Sequence, residues 1–187
     1  ATTYLADIVN DPDRSLERDE ASDVLRLILD NITRASNLVR GFKKVAVYEM
    51  DDELRAFDLA AYLRDDLLPG LETMLNRRKH TVRYTGSDTC AVHSYPGALA
   101  QIVTNLLMNA SIHGYGETRD AVVDVRLEDR GSEAVLSISD TGVGMKEEIR
   151  KRVFEPFFTT SRESGGSGLG MMVVYNLVRA KLQGSVV

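Results

Sequence analysis

Between Ala21 and Ala46 the apolar residues fall at Ala21, Leu25, Ile28, Ile32, Ala35, Val39, Phe42 and Ala46, spaced 4, 3, 4, 3, 4, 3, 4. An unbroken seam of this kind averages 3.5 residues per turn, which selects nearly parallel helices wound with a left-handed twist. A helix this regular wants a helical partner. Ala1, Leu5 and Ile8 repeat the 4, 3 spacing on a short preceding segment that ends at Asn10-Asp11-Pro12-Asp13, a cluster of turn formers able to start a reversal. Residues 1–48 therefore read as an antiparallel helical hairpin with a shortened first arm, and residues 1–50 as one domain, with a homodimer through the 21–46 helix. The alternative is a single amphipathic helix packed on its own domain, but such a helix usually carries a wider and less regular stripe.

Past Asp51-Asp52 the texture changes. Arg55-Ala56-Phe57-Asp58 reads as a short strand ending in a helix N-cap, followed by an amphipathic helix through Leu75 with Pro69-Gly70 as a kink or break. His80 to Tyr84 and Cys90 to His93 are short strands. Tyr95-Pro96-Gly97 opens a periodic helix whose Leu99, Ile102, Val103, Leu106, Leu107 and Ala110 face a core. Val122 to Leu127 and Val135 to Ser139 alternate as two strands joined by a hairpin at Asp129-Arg130-Gly131-Ser132. Residues 141–167 read as a Gly-rich polar loop with a short apolar patch, and Leu169 to Leu182 as a final helix. This order implies an α+β fold: the hairpin, then an α/β sandwich over residues 51–187 with helices on one face of a mixed, mainly antiparallel sheet.

Composition narrows the function classes. The 187 residues are 43% hydrophobic and 27% charged, enough for a real core. The formal charge of -5 opposes a general attraction to nucleic acid or anionic lipid. Cys90 is alone and can form neither an internal disulfide nor a thiolate zinc cage, which fits a reducing, cytoplasmic setting. The longest stretch without Asp, Glu, Lys or Arg, Thr89 to Gly116, holds Gln101, Asn105, Asn109 and two histidines, too polar for a membrane span, so no direct membrane contact is expected.

Three constellations carry chemistry. Asn105 and Asn109 stand four apart on one helix face, where a carboxamide oxygen can ligate Mg²⁺ and an amide NH₂ can meet a phosphate. Taken alone, two such residues are more often structural. Ser139-Asp140-Thr141-Gly142-Val143-Gly144 sets a carboxylate at a strand end beside backbone that can approach a flat ligand closely. Asp-Thr-Gly also surrounds the carboxylates of aspartic proteases, but that chemistry needs a second such loop or a homodimeric site, and this chain has one loop, which discounts it unless dimer geometry supplies the pair. Gly165-Gly166-Ser167-Gly168-Leu169-Gly170 leads glycines into a helix, leaving unpaired N–H groups for phosphate oxygens. It matches neither the dinucleotide fingerprint nor the P-loop.

Together the three resemble the catalytic ATP-binding domain of sensor histidine kinases, within the group that includes gyrase B-type, mismatch-repair and ninety-kilodalton heat-shock ATPases. The resemblance covers roughly residues 53 to 187. Asn105 and Asn109 look like the N box, Asp140 to Gly144 the first glycine box, Phe154-Glu155-Pro156-Phe157-Phe158 the F box, and Gly166 to Gly170 the second glycine box. It implies that ATP and Mg²⁺ are cofactors. Asp140 would be a buried acceptor for the adenine amino group, with Gly142 and Gly144 beside it and Asn109 holding Mg²⁺. Gly166, Gly168, Leu169 and Gly170 would lie under the triphosphate, and residues 145–166 would form a lid anchored by Phe154, Phe157 and Phe158. Hydrolytic relatives carry Glu four residues before the Mg²⁺-binding Asn. Here that position is Asn105, and a neutral amide cannot take a proton from water, as suits a phosphotransferase.

The family's helical hairpin dimerises and carries a phosphoacceptor histidine. The histidines of this chain are His80, His93 and His113, so the acceptor is expected upstream. His113 is a candidate phosphate contact, while His80 and His93 read as strand-edge residues. Many relatives have Lys where this chain has Ile112, so cationic help is expected from the lid, with Arg162 chosen over Lys146, Arg150, Lys151 and Arg152. The family also adds a closing strand pair beyond the position of Val187. A cognate response regulator is the implied partner. The rivals are an ATP-driven conformational switch of the gyrase or chaperone type and a non-catalytic dimerisation module with a degenerate nucleotide site.

Overall fold

The computed structural model describes residues 22–29, 31–32, 53–75, 80–115, 121–160 and 167–187. The chain divides into two units, Ala1–Lys43 and Lys44–Val187. In the first, residues 22–29 and 31–32 are helical, and the seam residues Leu25, Ile28 and Ile32 are 59%, 37% and 59% exposed. The rest of the expected hairpin, including Ala21, Ala35, Val39, Phe42 and Ala46, lies outside the described residues.

The second unit starts with strand β1 (Arg55–Asp58) and helix α1, which begins over Leu59–Ala61, widens into π-type turns over Tyr62–Leu67 and returns to α geometry over Leu68–Leu75. The expected break at Pro69-Gly70 does not occur. Proline removes one N–H donor and crowds the carbonyl four residues back, and the wider turns just ahead of it absorb both effects without ending the helix. Asp58 caps α1 as its sequence position suggests, accepting from the Ala60 and Ala61 N–H groups at 2.9 and 3.2 Å. The same carboxylate oxygen accepts the Cys90 N–H at 3.1 Å, so the cap also ties α1 to the start of strand β3 (Ala91–Ser94).

Strand β2 (Thr81–Gly86) lies parallel to β4 (Val122–Asp129), and β4 runs antiparallel to β5 (Ala134–Asp140), giving the order β2-β4-β5. Thr81 stands opposite Val122, and Val123 opposite Asp140. The turn between β4 and β5 places Gly131 at φ +79, with its N–H donated to Asp129 at 2.8 Å. β3 pairs instead with β1, antiparallel, as a separate two-stranded sheet. The strands predicted from sequence thus form one mixed and one antiparallel sheet rather than a single layer. A parallel β2–β4 pair needs a crossover, supplied by β3 and helix α2 (Pro96–Asn109).

The core is set by β4. Val123, Val125 and Leu127 point inward and are fully buried, while Asp124, Arg126 and Glu128 alternate outward. Against the inward row pack Leu59 and Leu63 of α1 and Val103 and Leu107 of α2. On the outer face Arg83 of β2 makes a two-point ion pair with Asp124. Cys90 is buried, which pushes its thiol pKa up and keeps it a small apolar group. Helix α3 (Glu147–Arg152) follows the sheet, and α4 (Gly170–Asn176), prolonged by π-type turns over Leu177–Lys181, packs along α2.

The Asp58 cap has a pH signature. The Ala61 N–H foremost, then that of Cys90, hold its carboxyl below the usual carboxylate range. Because the folded-state value is lowered, the stabilisation is complete above the unfolded value of about 4 and is lost as pH falls through the folded value. Asp58→Ala should therefore lower the melting temperature by a few degrees at pH 7, and the gap to the parent should narrow below about pH 4. Calorimetry across that range checks this, and a gap equally wide at pH 3 and pH 7 would reject the cap.

Candidate functional site

Helix α2 begins at Pro96, whose fixed φ suits a first helical position, and buries Leu99, Ile102, Val103 and Leu107 on one side. That burial sets the rotation of the helix. Asn105 and Asn109, partly exposed, consequently share another face. The N-terminus of α4 is brought to them: a β-carbon at Gly170 would stand 3.7 Å from the Asn105 carboxamide oxygen and 3.9 Å from that of Asn109. With no side chain at Gly170, the space before both oxygens stays clear. Gly170, Asn105 and Asn109 are thus one cluster.

A second cluster forms at the far end of the same helix. Beyond Asn109 the helix widens into π-type turns over Ala110–Gly114, five residues that carry the chain about 7 Å along the axis at an α-like rise. There Gly114 meets the loop after β5. A β-carbon on Gly114 would lie 2.9 Å from an Asp140 carboxylate oxygen and displace that side chain, and one on Gly142 would overlap the Gly114 carbonyl, so Gly142 requires glycine for space. Three consecutive loop amides are satisfied. Thr141 N–H donates to the Tyr115 hydroxyl at 2.8 Å, Gly142 N–H to Asp140 Oδ1 at 2.8 Å, and Val143 N–H to the Gly114 carbonyl at 2.9 Å. Asp140 itself is exposed, not the buried carboxylate expected. It ends strand β5, and the nearby Gly114 and Gly142 carry no side chains to cover it. Gly144, at φ +67, has open space around it.

The remaining nominated positions are spread between these clusters. Gly168 sits at φ +67 with its α-carbon pressed against the backbone of Phe157, where a β-carbon would come within 2.5 Å. Phe157 is itself left-handed at φ +63, an uncommon backbone for a side chain this large. Leu169 is buried and its carbonyl accepts the Val173 N–H, opening α4. The ring of Phe154 meets that of Tyr175 at 5.5 Å in a tilted contact and Arg152 lies 4.5 Å above the ring of Phe158, while Phe157 is exposed. His113 is partly exposed in the π-type turns after Asn109. Arg162 and Gly166 lie outside the described residues.

Two features escaped the sequence reading. His80 is not at a strand edge. It is fully buried, with Nδ1 2.9 Å from the Ser111 hydroxyl and its ring 5.4 Å from that of Tyr115. His93 is exposed on β3, where a two-stranded sheet leaves both strands at an edge. Helix α3 replaces part of the expected loop. Its signal was present: Glu147-Glu148 in the first turn and Arg150-Lys151-Arg152 in the last complement the helix dipole. Those cations are paired on their own surface, Arg150 and Lys151 with Glu147 and Arg152 with Glu155.

Residues 95–187 match a family model described as Histidine kinase-, DNA gyrase B-, and HSP90-like ATPase. That segment belongs to this ATPase family. It contains α2, the Asp140 loop and α4, and so every site residue nominated from sequence. Sensor histidine kinase ZraS of Escherichia coli O157:H7 is 35% identical over 104 residues, 55% of this chain and 22% of that protein. The chain thus spans about a fifth of the length of this relative. The ATPase-family fold recurs in the catalytic domain of histidine kinase ThkA, with a TM-score of 0.60 at 23% identity over 69% of this chain and 82% of that one. A second ThkA structure, in complex with response regulator protein TrrA, aligns at 0.59 and 17% identity over 96% of this chain and 49% of that one. Full-length ShkA in complex with AMPPNP aligns at 0.60 and 22% identity over 89% of this chain and 35% of that one.

The contact between the Asp140 loop and the end of α2 is testable without a ligand. Gly142→Ala should destabilise the fold by about 1–3 kcal/mol, because the new methyl overlaps the Gly114 carbonyl and one backbone must move. Gly70→Ala, in open space and at an ordinary backbone angle, controls for loss of glycine alone. A urea melt in which Gly142→Ala is as stable as the parent would refute the close approach.

Proposed function

We propose that residues 51–187 are the ATP-binding catalytic region of a sensor histidine kinase, supplying the γ-phosphate of ATP to a phosphoacceptor histidine upstream of this chain's residues. The observation that carries this reading is that one helix serves both clusters. Asn105 and Asn109 face Gly170, and further along its extension Gly114 meets Asp140. Membership of the segment in the ATPase family supports it, as does the AMPPNP complex of ShkA.

Each group has a chemical task in this reading. One oxygen of Asp140 is held by the Gly142 N–H, which orients the carboxylate and leaves the other oxygen to accept from an exocyclic amino group of adenine. Gly142 and Gly144 let backbone approach the base. Gly168, Leu169 and Gly170 present peptide N–H groups to the phosphates, with His113 and the lid residues Arg162 and Gly166 as further contacts. The donor set suits Mg²⁺. Asn109 offers a neutral oxygen, and among the described residues no group of three or more His, Cys, Asp and Glu side chains is gathered, so the metal would complete its shell with phosphate oxygens and water. Bound there, Mg²⁺ would neutralise charge on the transferring phosphoryl group. Asn105, beside the same space, carries no basic lone pair of carboxylate strength, so it positions without activating water for hydrolysis.

His80 is sealed in the core, and His93 and His113 belong to the ATP-binding region rather than to residues 1–48, so the acceptor is assigned elsewhere in the full protein. The exposed Leu25, Ile28 and Ile32 support a homodimer through the 21–46 helix. The ThkA–TrrA complex supports a response regulator as the second partner. No helix among the described residues is long and apolar enough to cross a membrane, and a cytoplasmic setting is part of the proposal.

Titration calorimetry tests the site. Asp140→Ala should weaken ATP binding roughly 10- to 150-fold, the value of a charge-assisted hydrogen bond; unchanged affinity would remove adenine recognition from Asp140. Asn109→Ala should lose more affinity with Mg²⁺ present than with the metal chelated. An equal loss in both conditions would show that Asn109 does not ligate it.

A further inference from the structure

Tyr115 has no part in the site as read from sequence, yet its hydroxyl is the junction between the end of α2 and the Asp140 loop. The ring is buried. The hydroxyl donates to the Val122 carbonyl at 2.6 Å, accepts the Thr141 N–H at 2.8 Å, and lies 3.2 Å from the Thr141 hydroxyl. One oxygen therefore joins the first residue of β4, the central strand, to the residue immediately after Asp140. With Val143 N–H held by the Gly114 carbonyl, two of the three loop amides answer to the dipeptide Gly114-Tyr115. The third answers to Asp140 itself.

The ring side is fixed as firmly as the hydroxyl side. His80, fully buried, stands 5.4 Å from the Tyr115 ring centre, and its Nδ1 meets the Ser111 hydroxyl at 2.9 Å. A tyrosine with its ring wedged and its hydroxyl doubly bonded has little freedom to swing. The strand-end carboxylate is exposed, with Gly114 close beside one oxygen and the Gly142 N–H bonded to the same oxygen, so its aim depends on the backbone of residues 141–143.

We propose that Tyr115 is the positioning residue for base recognition: its hydroxyl locks the Thr141 backbone and thereby aims the Asp140 carboxylate at the adenine amino group. This rests on the adenine site proposed above. Loss of the lock lets the Asp140-Thr141-Gly142 turn sample other orientations, which weakens the contact specific to adenine while leaving the phosphate contacts, formed by another loop, as they were. Base preference, more than overall affinity, is the quantity that depends on Tyr115.

The test is Tyr115→Phe in the full 187-residue chain, which keeps the ring against His80 and removes only the oxygen. Affinities for AMPPNP and for the corresponding guanosine analogue are measured by competition against a fluorescent nucleotide, with Asp140→Ala as reference. The expected result is a roughly two- to tenfold weaker grip on AMPPNP, a value set by one lost hydrogen bond, with guanosine affinity unchanged, so that the adenine preference falls by the same factor. Faster hydrogen exchange at the Thr141 amide accompanies it. Unchanged preference in Tyr115→Phe, or an equal loss for both nucleotides, overturns the inference while the adenine site stands. No AMPPNP binding by the parent chain overturns the site, and the inference with it.

Discussion

Much of the molecule depends on one helix being unable to turn about its axis. Val103 and Leu107 are buried against the inward row of β4, and each such side chain is worth about 1.5–3 kcal/mol relative to exposure. Rotating α2 by even one residue, about 100°, would move both out of that contact. The hydrogen bonds available to Asn105 and Asn109 are worth about 1 kcal/mol each and cannot compete. The carboxamides therefore face where the core puts them. A polar edge with no charge of its own is in this way held by apolar packing on its opposite side.

Glycine then decides what can reach that edge. At Gly142 the Gly114 backbone leaves no room for a methyl group, and at Gly168 the backbone of Phe157 fills the place a side chain would take. These are requirements of space, and at Gly168 also of φ. Gly170 differs, since a methyl group there would fit at ordinary contact distance and would stand in front of both carboxamide oxygens. Its value lies in what it leaves uncovered. The polar groups nearest the loop are correspondingly well satisfied by backbone and by Tyr115, which is how an exposed turn keeps one shape.

Much of this was legible in the sequence, for identifiable reasons. Asp58 as cap, Pro96 as first helical residue and the alternation of Val123, Val125 and Leu127 are local signals, readable within one turn or one strand. The carboxamide pair and the two glycine clusters were recognisable by spacing, and the structure brings Asn105, Asn109 and Gly170 together, and Asp140, Gly142 and Gly114. What stayed hidden is non-local. Nothing in Thr81–Gly86 announces a parallel partner in β4, because pairing depends on the crossover that lies between them. His80 next to a strand looks like an edge residue until Ser111 and Tyr115, more than thirty residues away, enclose it. Tyr115 carries no motif. Its importance comes from three hydrogen-bond contacts that no spacing encodes. Helix α3 was legible from its charge order but was obscured by the glycine-rich sequence on either side.

Electrostatics bears on how an edge with Ile112 beside His113 could meet a polyphosphate. Helix α2 and its extension to Gly114 carry no Asp, Glu, Lys or Arg, so the edge they present is uncharged. In the proposed function a polyphosphate would meet peptide N–H groups at α4 and a metal ion, with further positive charge from Arg162 rather than from α3. Arg150, Lys151 and Arg152 are already paired with Glu147 and Glu155, but every one of these pairs is exposed. The cations of α3 are thus engaged on their own surface, and in the proposed function the compensating side-chain charge is assigned to Arg162, which follows that helix in sequence. An uncharged helix edge then leaves a polyphosphate to be met by peptide N–H groups, a metal ion and a cation from another segment.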